Sequence, residues 1–153
     1  MTLRPGSDEE FLDLFVDVAR GTLDVSTQRS VAASSVEETA QEDLDFYLSC
    51  PGERDWWRVA VDFSGEPIGF VIPSATPYAR NVGYLGVLPD HRGRGHVDEL
   101  LTYVTAFHRA AGATRITATT DAVNRPMVDA FTRNAYRVVG DSDQPGSSSG
   151  LTW

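Results

Sequence analysis

Across residues 82–111 the apolar pattern changes its period from two to 3.6, and the change falls on a turn rich in glycine and arginine. Val82 to Leu88 reads as a strand stopped by Pro89. Asp90, His91, Arg92, Gly93, Arg94, Gly95 and His96 follow, and Val97, Leu100, Leu101, Val104, Phe107 and Ala111 then fall on one helical stripe ended by Gly112. A strand that passes through a tight turn directly into an amphipathic helix must lay that helix on a sheet, which excludes all-helical bundles and all-strand sandwiches.

The turn also carries chemistry. Unpaired N–H groups at the start of a helix and the positive end of its dipole converge on one spot, which suits an anion such as pyrophosphate. Glycine allows the backbone to approach phosphate closely and to adopt left-handed torsions, and Arg92 and Arg94 add guanidinium groups matched to phosphate oxygens. A basic turn that merely joins strand to helix has the same composition, so the turn alone leaves both readings open.

The remaining pattern gives the order β-α-α-β-β-β-α-β-α-β. Thr2 to Arg4 is a short strand before Pro5-Gly6, and Ser7 with Glu10 forms a capping box for a helix near 8–20 that buries Phe11, Leu14, Phe15 and Val18, with Gly21 at its end. A second helix near 35–49 places Val36, Ala40, Leu44, Tyr47 and Leu48 on one face and ends at Pro51-Gly52. Trp57, Val59, Val61 and Phe63 alternate as a half-buried strand, Ser64 to Pro67 turns, and Ile68 to Ile72 returns as its hairpin partner. Residues 73–80 read as a loop with two prolines. Downstream, Arg115 to Thr119 is a strand, Asn124 caps a short helix carrying Met127, Ala130 and Phe131, and Tyr136 to Val139 is the last clear strand. A tail over 141–153 is rich in Gly, Ser and Asp, with Leu151 and Trp153 as anchors for a short final strand.

Composition narrows the function classes. At 153 residues the chain fits a single domain. No apolar run reaches the roughly 20 residues of a membrane span, and Met1 to Glu10 lacks the charged-then-apolar pattern of a secretory leader. The single Cys50 excludes an internal disulfide, and no Cys/His spacing suits zinc. A cytoplasmic protein with no metal is therefore expected. All 13 basic residues are arginine, a bacterial-like bias of GC-rich coding. The pI near 4.6 argues against nucleic acid. Residues 1–66 carry 15 acidic and 5 basic side chains, whereas 67–153 carry 7 and 8. An anion partner on the second half and a cation on the first would explain this asymmetry, and so would a merely solvated acidic surface.

Val87-Leu88-Pro89 followed by Arg92-Gly93-Arg94-Gly95 resembles the acetyl-CoA pyrophosphate loop of the GCN5-related N-acetyltransferase (GNAT) superfamily, written (Q/R)xxGx(G/A). Thr120-Asp121, Asn124, Met127 and Ala135-Tyr136 resemble its second motif, in which Asn opens a helix that a Gly-aromatic pair ends. The resemblance covers roughly residues 56–139. It implies an α+β fold of α/β/α layers, with a mixed sheet of about six strands flanked by four helices. One domain over 1–140 would comprise acceptor-side helices in 1–55 and an acetyl-CoA-binding core in 56–140. Three positions depart from the family pattern. Val97 stands at the loop's final Gly/Ala, and its backbone serves there if its side chain points inward. Phe131 stands where members often place a tyrosine that protonates the leaving thiolate. Ala135 replaces the glycine before the final strand, with Asn134 ahead of it suited to the left-handed conformation.

The resemblance implies transfer of an acetyl group from acetyl-CoA to a primary amine by direct attack. Leu85, Gly86 and Val87 would bind the pantetheine arm along the strand, and the Val87 N–H would stabilise the oxyanion. Arg92, Gly93, Arg94, Gly95, His96 and Val97 would hold the pyrophosphate, with Asn124 and Phe131 along the rest of the cofactor. Members often carry a basic carboxylate on the central strand, which residues 81–87 lack. Asp121 on the next strand is the substitute, with a role as a loop hydrogen-bonder equally open, and Tyr84 is a weaker candidate more suited to packing. His91 and His96 are phosphate contacts or solvated; His108, Trp56 and Trp57 read as structural; Cys50 reads as an inert thiol before it reads as an acyl carrier. The acidic second helix suits a cationic small-molecule or peptide amine. A non-catalytic acyl-CoA sensing module is the alternative, motivated by Phe131 and the carboxylate-free strand, and the weak tail leaves open a homodimer that completes the sheet.

Overall fold

The computed structural model describes residues 1–20, 35–121, 124–140 and 148–153. Among these residues seven strands form one sheet: β1 (Thr2–Arg4), β2 (Arg58–Val61), β3 (Pro67–Ala75), β4 (Arg80–Val87), β5 (Ile116–Asp121), β6 (Arg137–Gly140) and β7 (Ser148–Thr152). Four α-helices lie among the described residues: α1 (Asp8–Arg20), α2 (Val36–Ser49), α3 (His96–Ala110) and α4 (Arg125–Arg133). The spatial order is β1-β2-β3-β4-β5-β7-β6. Only β4 and β5 run parallel; every other neighbouring pair is antiparallel.

Helices cover both faces, giving the α/β/α layers. Phe11, Leu14, Phe15 and Val18 of α1 and Ala40 and Leu44 of α2 pack with Trp57, Val59, Val61, Phe70 and Ile72. On the opposite face Leu100, Leu101 and Val104 of α3 and Ala130 and Phe131 of α4 pack with Ala60, Val71, Val82, Leu85 and Leu151. Coverage on both sides explains why β2 buries Val59, Ala60 and Val61 in succession, where alternation alone suggested one wet face.

Several local expectations are corrected. Among the described residues the sheet has seven strands where the pattern marked six, because the tail supplies β7, which inserts between β5 and β6, not at the edge, and buries Leu151. Phe63 lies beyond the end of β2 and is fully exposed, since the Asp62 carboxylate accepts from Ser64 and Glu66 and turns the chain early. β3 runs through Pro73 to Ala75, where a loop was expected. Leu48 faces solvent, and Thr39 joins Ala40 and Leu44 on the buried face of α2. Glu10 forms only half of a capping box. Its N–H is capped by Ser7 at 3.2 Å, but its carboxylate is held by both Arg4 Nη atoms at 2.7 Å, a charge-assisted fork stronger than a bond to one backbone N–H. Gly21 lies outside the described residues.

α4 ends differently from expectation. Ala135 itself takes the left-handed conformation (φ 69°), while Asn134 stays at φ −97°. The Tyr136 N–H reaches back to Phe131 O (3.0 Å) and the Ala135 N–H to Thr132 O (3.2 Å), a Schellman closure. Asn134 instead spends its side-chain amide on Ala130 O (2.8 Å) and Asp98 Oδ1 (2.9 Å).

Candidate active site

The site begins with one extra residue in β4. Ile72 pairs with Tyr84 and Ser74 with Asn81, so three steps on β4 match two on β3. Gly83 accommodates this bulge at φ 73°, and a Cβ there would stand 1.9 Å from Ile72 O. Its displaced N–H is taken by Asn81 Oδ1 (2.7 Å), and Asn81 Nδ2 donates to Thr117 Oγ1 on β5 (2.8 Å). Pairing between β4 and β5 covers Arg80 with Ile116 and Asn81 with Thr117, and it stops there. Beyond the bulge the two parallel strands part and leave a fork.

The ladder's alternation fixes what faces the fork. Leu88 N donates to Ile68 O (2.9 Å), so Leu88 and, two residues back, Gly86 bond toward β3. The backbone polar groups of Leu85 and Val87 between them point the other way, into the fork. Arg92 confirms the direction, because its Nε donates to Val87 O at 3.2 Å.

A cleft of about 240 Å³ opens along this edge. It is lined by Leu85, Gly86 and Val87 of β4, by His91, Arg92, Gly93, Gly95, His96 and Val97 of the turn and α3, and by Asn124 and Met127. Gly93 (φ 75°) and Gly95 (φ 81°) are left-handed, and a Cβ at either would meet open space, so backbone conformation is what demands glycine. Gly95 is the N-cap of α3, and its carbonyl accepts from Glu99 N (3.2 Å). Val97 is partly buried against the core and is also among the residues that line the cleft. Asp98 would repel an anion here, but Arg133 grips it at 3.1–3.2 Å, and with the Asn134 amide holds its carboxyl below the usual range. His96 Nδ1 lies 3.1 Å from Glu99 Oε1.

Two expected cofactor residues are not among those that line this cleft. Arg94 is not part of the lining, and Phe131 is buried in the core with its edge on a different cleft. Asn124 stands at the start of α4 and lines the main cleft, yet its side chain does not cap the helix; its carbonyl accepts from Met127 and Val128 (both 3.1 Å).

That second cleft, about 210 Å³, lies on the other side of the fork between α2, β4, β5 and α4. Tyr84, Leu85 and Met127 line both clefts, so the two meet across the fork. Tyr84 stacks on Phe70 (5.2 Å) and packs edgewise on Tyr47 (5.5 Å), which makes it a wall between them. Asp43 of α2 reaches this second cleft, and desolvation, with the neighbouring Glu42, pushes its carboxyl up to about 6. No sequence motif marks Asp43, although its spacing from Ala40 and Tyr47 sets it on the inward face of α2. Asp121 ends β5 opposite Ser148, and its side chain lies outside the described residues.

Cys50 lines a separate crevice with Tyr47 and Pro51, and burial pushes its thiol up, away from the reactive thiolate. His108 is fully buried: Arg80 Nε donates to its Nδ1 (2.9 Å), and its Nε2 lies 2.8 Å from Asn81 O. Trp57 packs under α1 against Phe11 (5.1 Å), and Trp56 packs on Phe107 (5.5 Å), with the Arg80 guanidinium 4.3 Å above its ring. Among the described residues no cluster of His, Cys, Asp and Glu suits a metal, and no helix is long and apolar enough to cross a membrane.

A family model described as "Acetyltransferase (GNAT) family" matches residues 24–136. No curated protein matches the chain in sequence. Among solved structures, PH1933 from Pyrococcus horikoshii OT3 superposes with a TM-score of 0.76 at 14% identity, over 99% of this chain and 96% of that one. A ribosomal-protein-alanine N-acetyltransferase from Brucella melitensis gives 0.69 at 16%, over 100% and 99%. The PaiA N-acetyltransferase from Thermoplasma acidophilum, solved in complex with coenzyme A, gives 0.66 at 13%, over 99% and 96%. At these identities the likeness is one of fold.

Proposed function

The chain belongs to the GNAT acetyltransferase family, and from that premise we propose that it transfers an acetyl group from acetyl-CoA to the nitrogen of a primary amine by direct attack. The observation that carries the reading is the fork: strand edges open beyond Asn81, with the Leu85 and Val87 backbone groups facing a cleft that ends at the glycine turn. These residues fit the cofactor. The β4 edge offers the hydrogen bonds an added strand needs, which an amide-bearing pantetheine arm can meet. Gly93, Gly95, His96 and Val97 offer backbone N–H groups at the start of α3, with the Arg92 charge beside them. Acetyl-CoA would supply an acyl carbon activated as a thioester.

The protein's own contribution is positional and electrostatic. The Val87 N–H faces the fork and is the donor to charge developing on the thioester oxygen. An uncharged amine is the nucleophile, so an ammonium acceptor, with a pKa near the 10.4 of lysine, must first lose a proton to the acceptor side of the fork. Asp121, at the end of β5, is one carboxylate for that task. Phe131 has no proton to give, which leaves the thiolate to take its proton from water. The acidic first 66 residues favour a cationic acceptor, a small molecule or a peptide amine.

Thiol release from acetyl-CoA against a panel of primary amines tests the reading. Amine-dependent release above the rate of hydrolysis is expected. Micromolar CoA binding without release for any amine would favour the sensing module instead.

A further inference from the structure

We infer that Asp43, on the inward face of α2, receives the ammonium of the acceptor and takes its proton, a role that rests on the transferase reading above. Three observations place it there. Asp43 lines the cleft on the far side of the fork, and that cleft shares Tyr84, Leu85 and Met127 with the one along the glycine turn. A group entering from the α2 side therefore meets the β4 edge at Tyr84 and Leu85, the latter two residues along the strand from Val87. Asp43 also breaks the apolar pattern of its helix: Ala40 and Leu44 are buried, Tyr47 is half-buried, and Asp43 sits on that same face where packing alone calls for an apolar side chain. Finally, none of the hydrogen bonds or ion pairs described ties up its carboxylate, whereas Glu10, Asp62 and Asp98 are each held by partners. A desolvated carboxylate without a cation beside it is costly, and a ligand ammonium would relieve that cost.

The surroundings define the acceptor class. From α2 and β4 Tyr47 and Tyr84 line the cleft, from β5 Ala118, Thr119 and Thr120, and from α4 Met127 and Phe131. Asp43 is the only carboxylate among the described lining residues, and the like charge that acts on it is Glu42 of its own helix. One carboxylate within aromatic and apolar walls suits a compact primary ammonium on an apolar or aromatic body. Burial keeps Asp43 protonated to about pH 6, well above an ordinary aspartate, so it is a better proton acceptor than a solvated carboxylate and is ionised at neutral pH.

The Asp43 carboxylate takes one proton from R–NH3+; the freed nitrogen lone pair forms the N–C bond to the thioester carbon as the C–S bond breaks; the thiolate gains a second proton from the nitrogen through water. The products are the amide, the free thiol and protonated Asp43, which returns its proton to solvent.

Asp43→Asn keeps the shape and removes the charge. Phenethylamine and benzylamine are the probes, read by calorimetry with CoA present but no acetyl donor, and by turnover with acetyl-CoA. The variant is expected to bind CoA as the wild type does, to bind the amines at least tenfold more weakly, and to lose about 10²–10⁴-fold in kcat/KM for the amine. It is also expected to lose the decline in kcat/KM that is expected of the wild type below about pH 6. Melting no lower than the wild type at pH 7 confirms that the variant is folded. Unchanged amine binding and pH profile in Asp43→Asn would overturn the assignment. So would loss of the acid limb in Asp121→Asn alone, or a wild-type CoA complex that neither binds nor acetylates either amine. A wild type that fails to bind CoA would instead overturn the transferase reading.

Discussion

Ala135 carries a methyl group through the left-handed region at φ 69°. An L-residue there costs roughly 1–2 kcal/mol against the right-handed region, and glycine loses about 0.5–1 kcal/mol of extra chain entropy. Ala135→Gly should therefore stabilise the fold by about 0.5–1 kcal/mol, read as a higher urea midpoint at unchanged slope. A lower midpoint would mean that the methyl packing outweighs the strain. The sequence pointed to this turn but assigned the left-handed torsion to Asn134, because asparagine tolerates it better. What it did not reveal is that the Asn134 amide, besides bonding Ala130 O in its own helix, is bound to Asp98, a contact that arises only when α3 and α4 come together. Glu10 follows the same logic: its place in a capping box was legible, but the competing fork of Arg4 was not. Short-range chemistry lists a residue's candidate partners, and the fold selects among them.

At the scale of elements, the glycine turn and α3 were plain because period, punctuation and charge all change at the same place. The fork was not legible. It depends on a one-residue bulge at Gly83, whose sequence signal is a lone glycine in a strand pattern, and on how far β4 pairs with β5. Asp43 was hidden for a related reason: the second helix is acidic throughout, and although Asp43 shares the spacing of Ala40 and Tyr47, only packing shows that a cleft opens beside it. His108 joins α3 to the base of the fork. With Arg80 donating to Nδ1, the proton of the neutral ring sits on Nε2 and is donated to Asn81 O. Burial first, and then the Arg80 charge, push its pKa below 6.5. The folded state therefore favours the neutral ring. Its contribution is complete above the unfolded pKa of about 6.5 and is lost as pH falls below it, at up to about 1.4 kcal/mol per pH unit. Urea unfolding between pH 7 and pH 5 should show that decline in the wild type and a shallower one in His108→Gln. Parallel curves for the two proteins would place the acid sensitivity elsewhere.

For the whole molecule, the order of elements followed from hydrophobic period, the α/β/α layers from the family resemblance, and the tail offered only Leu151 and Trp153 as anchors for a short final strand. Ser148 to Thr152 has the composition of a loop, and it becomes a strand because β5 and β6 offer it two edges and a slot for Leu151. The fold thus assembles a parted strand pair, a left-handed glycine turn and a helix start within one cleft, and sets an acidic helix across the fork. Everything claimed for the chemistry depends on that cleft holding CoA. Calorimetric titration with CoA, run on the wild type and on Gly95→Pro, tests it most directly, since proline cannot adopt the φ of 81° found there. Micromolar binding by the wild type and none by a variant that still unfolds cooperatively is the expected result; equal affinity in the two proteins, or no binding by the wild type, would contradict it.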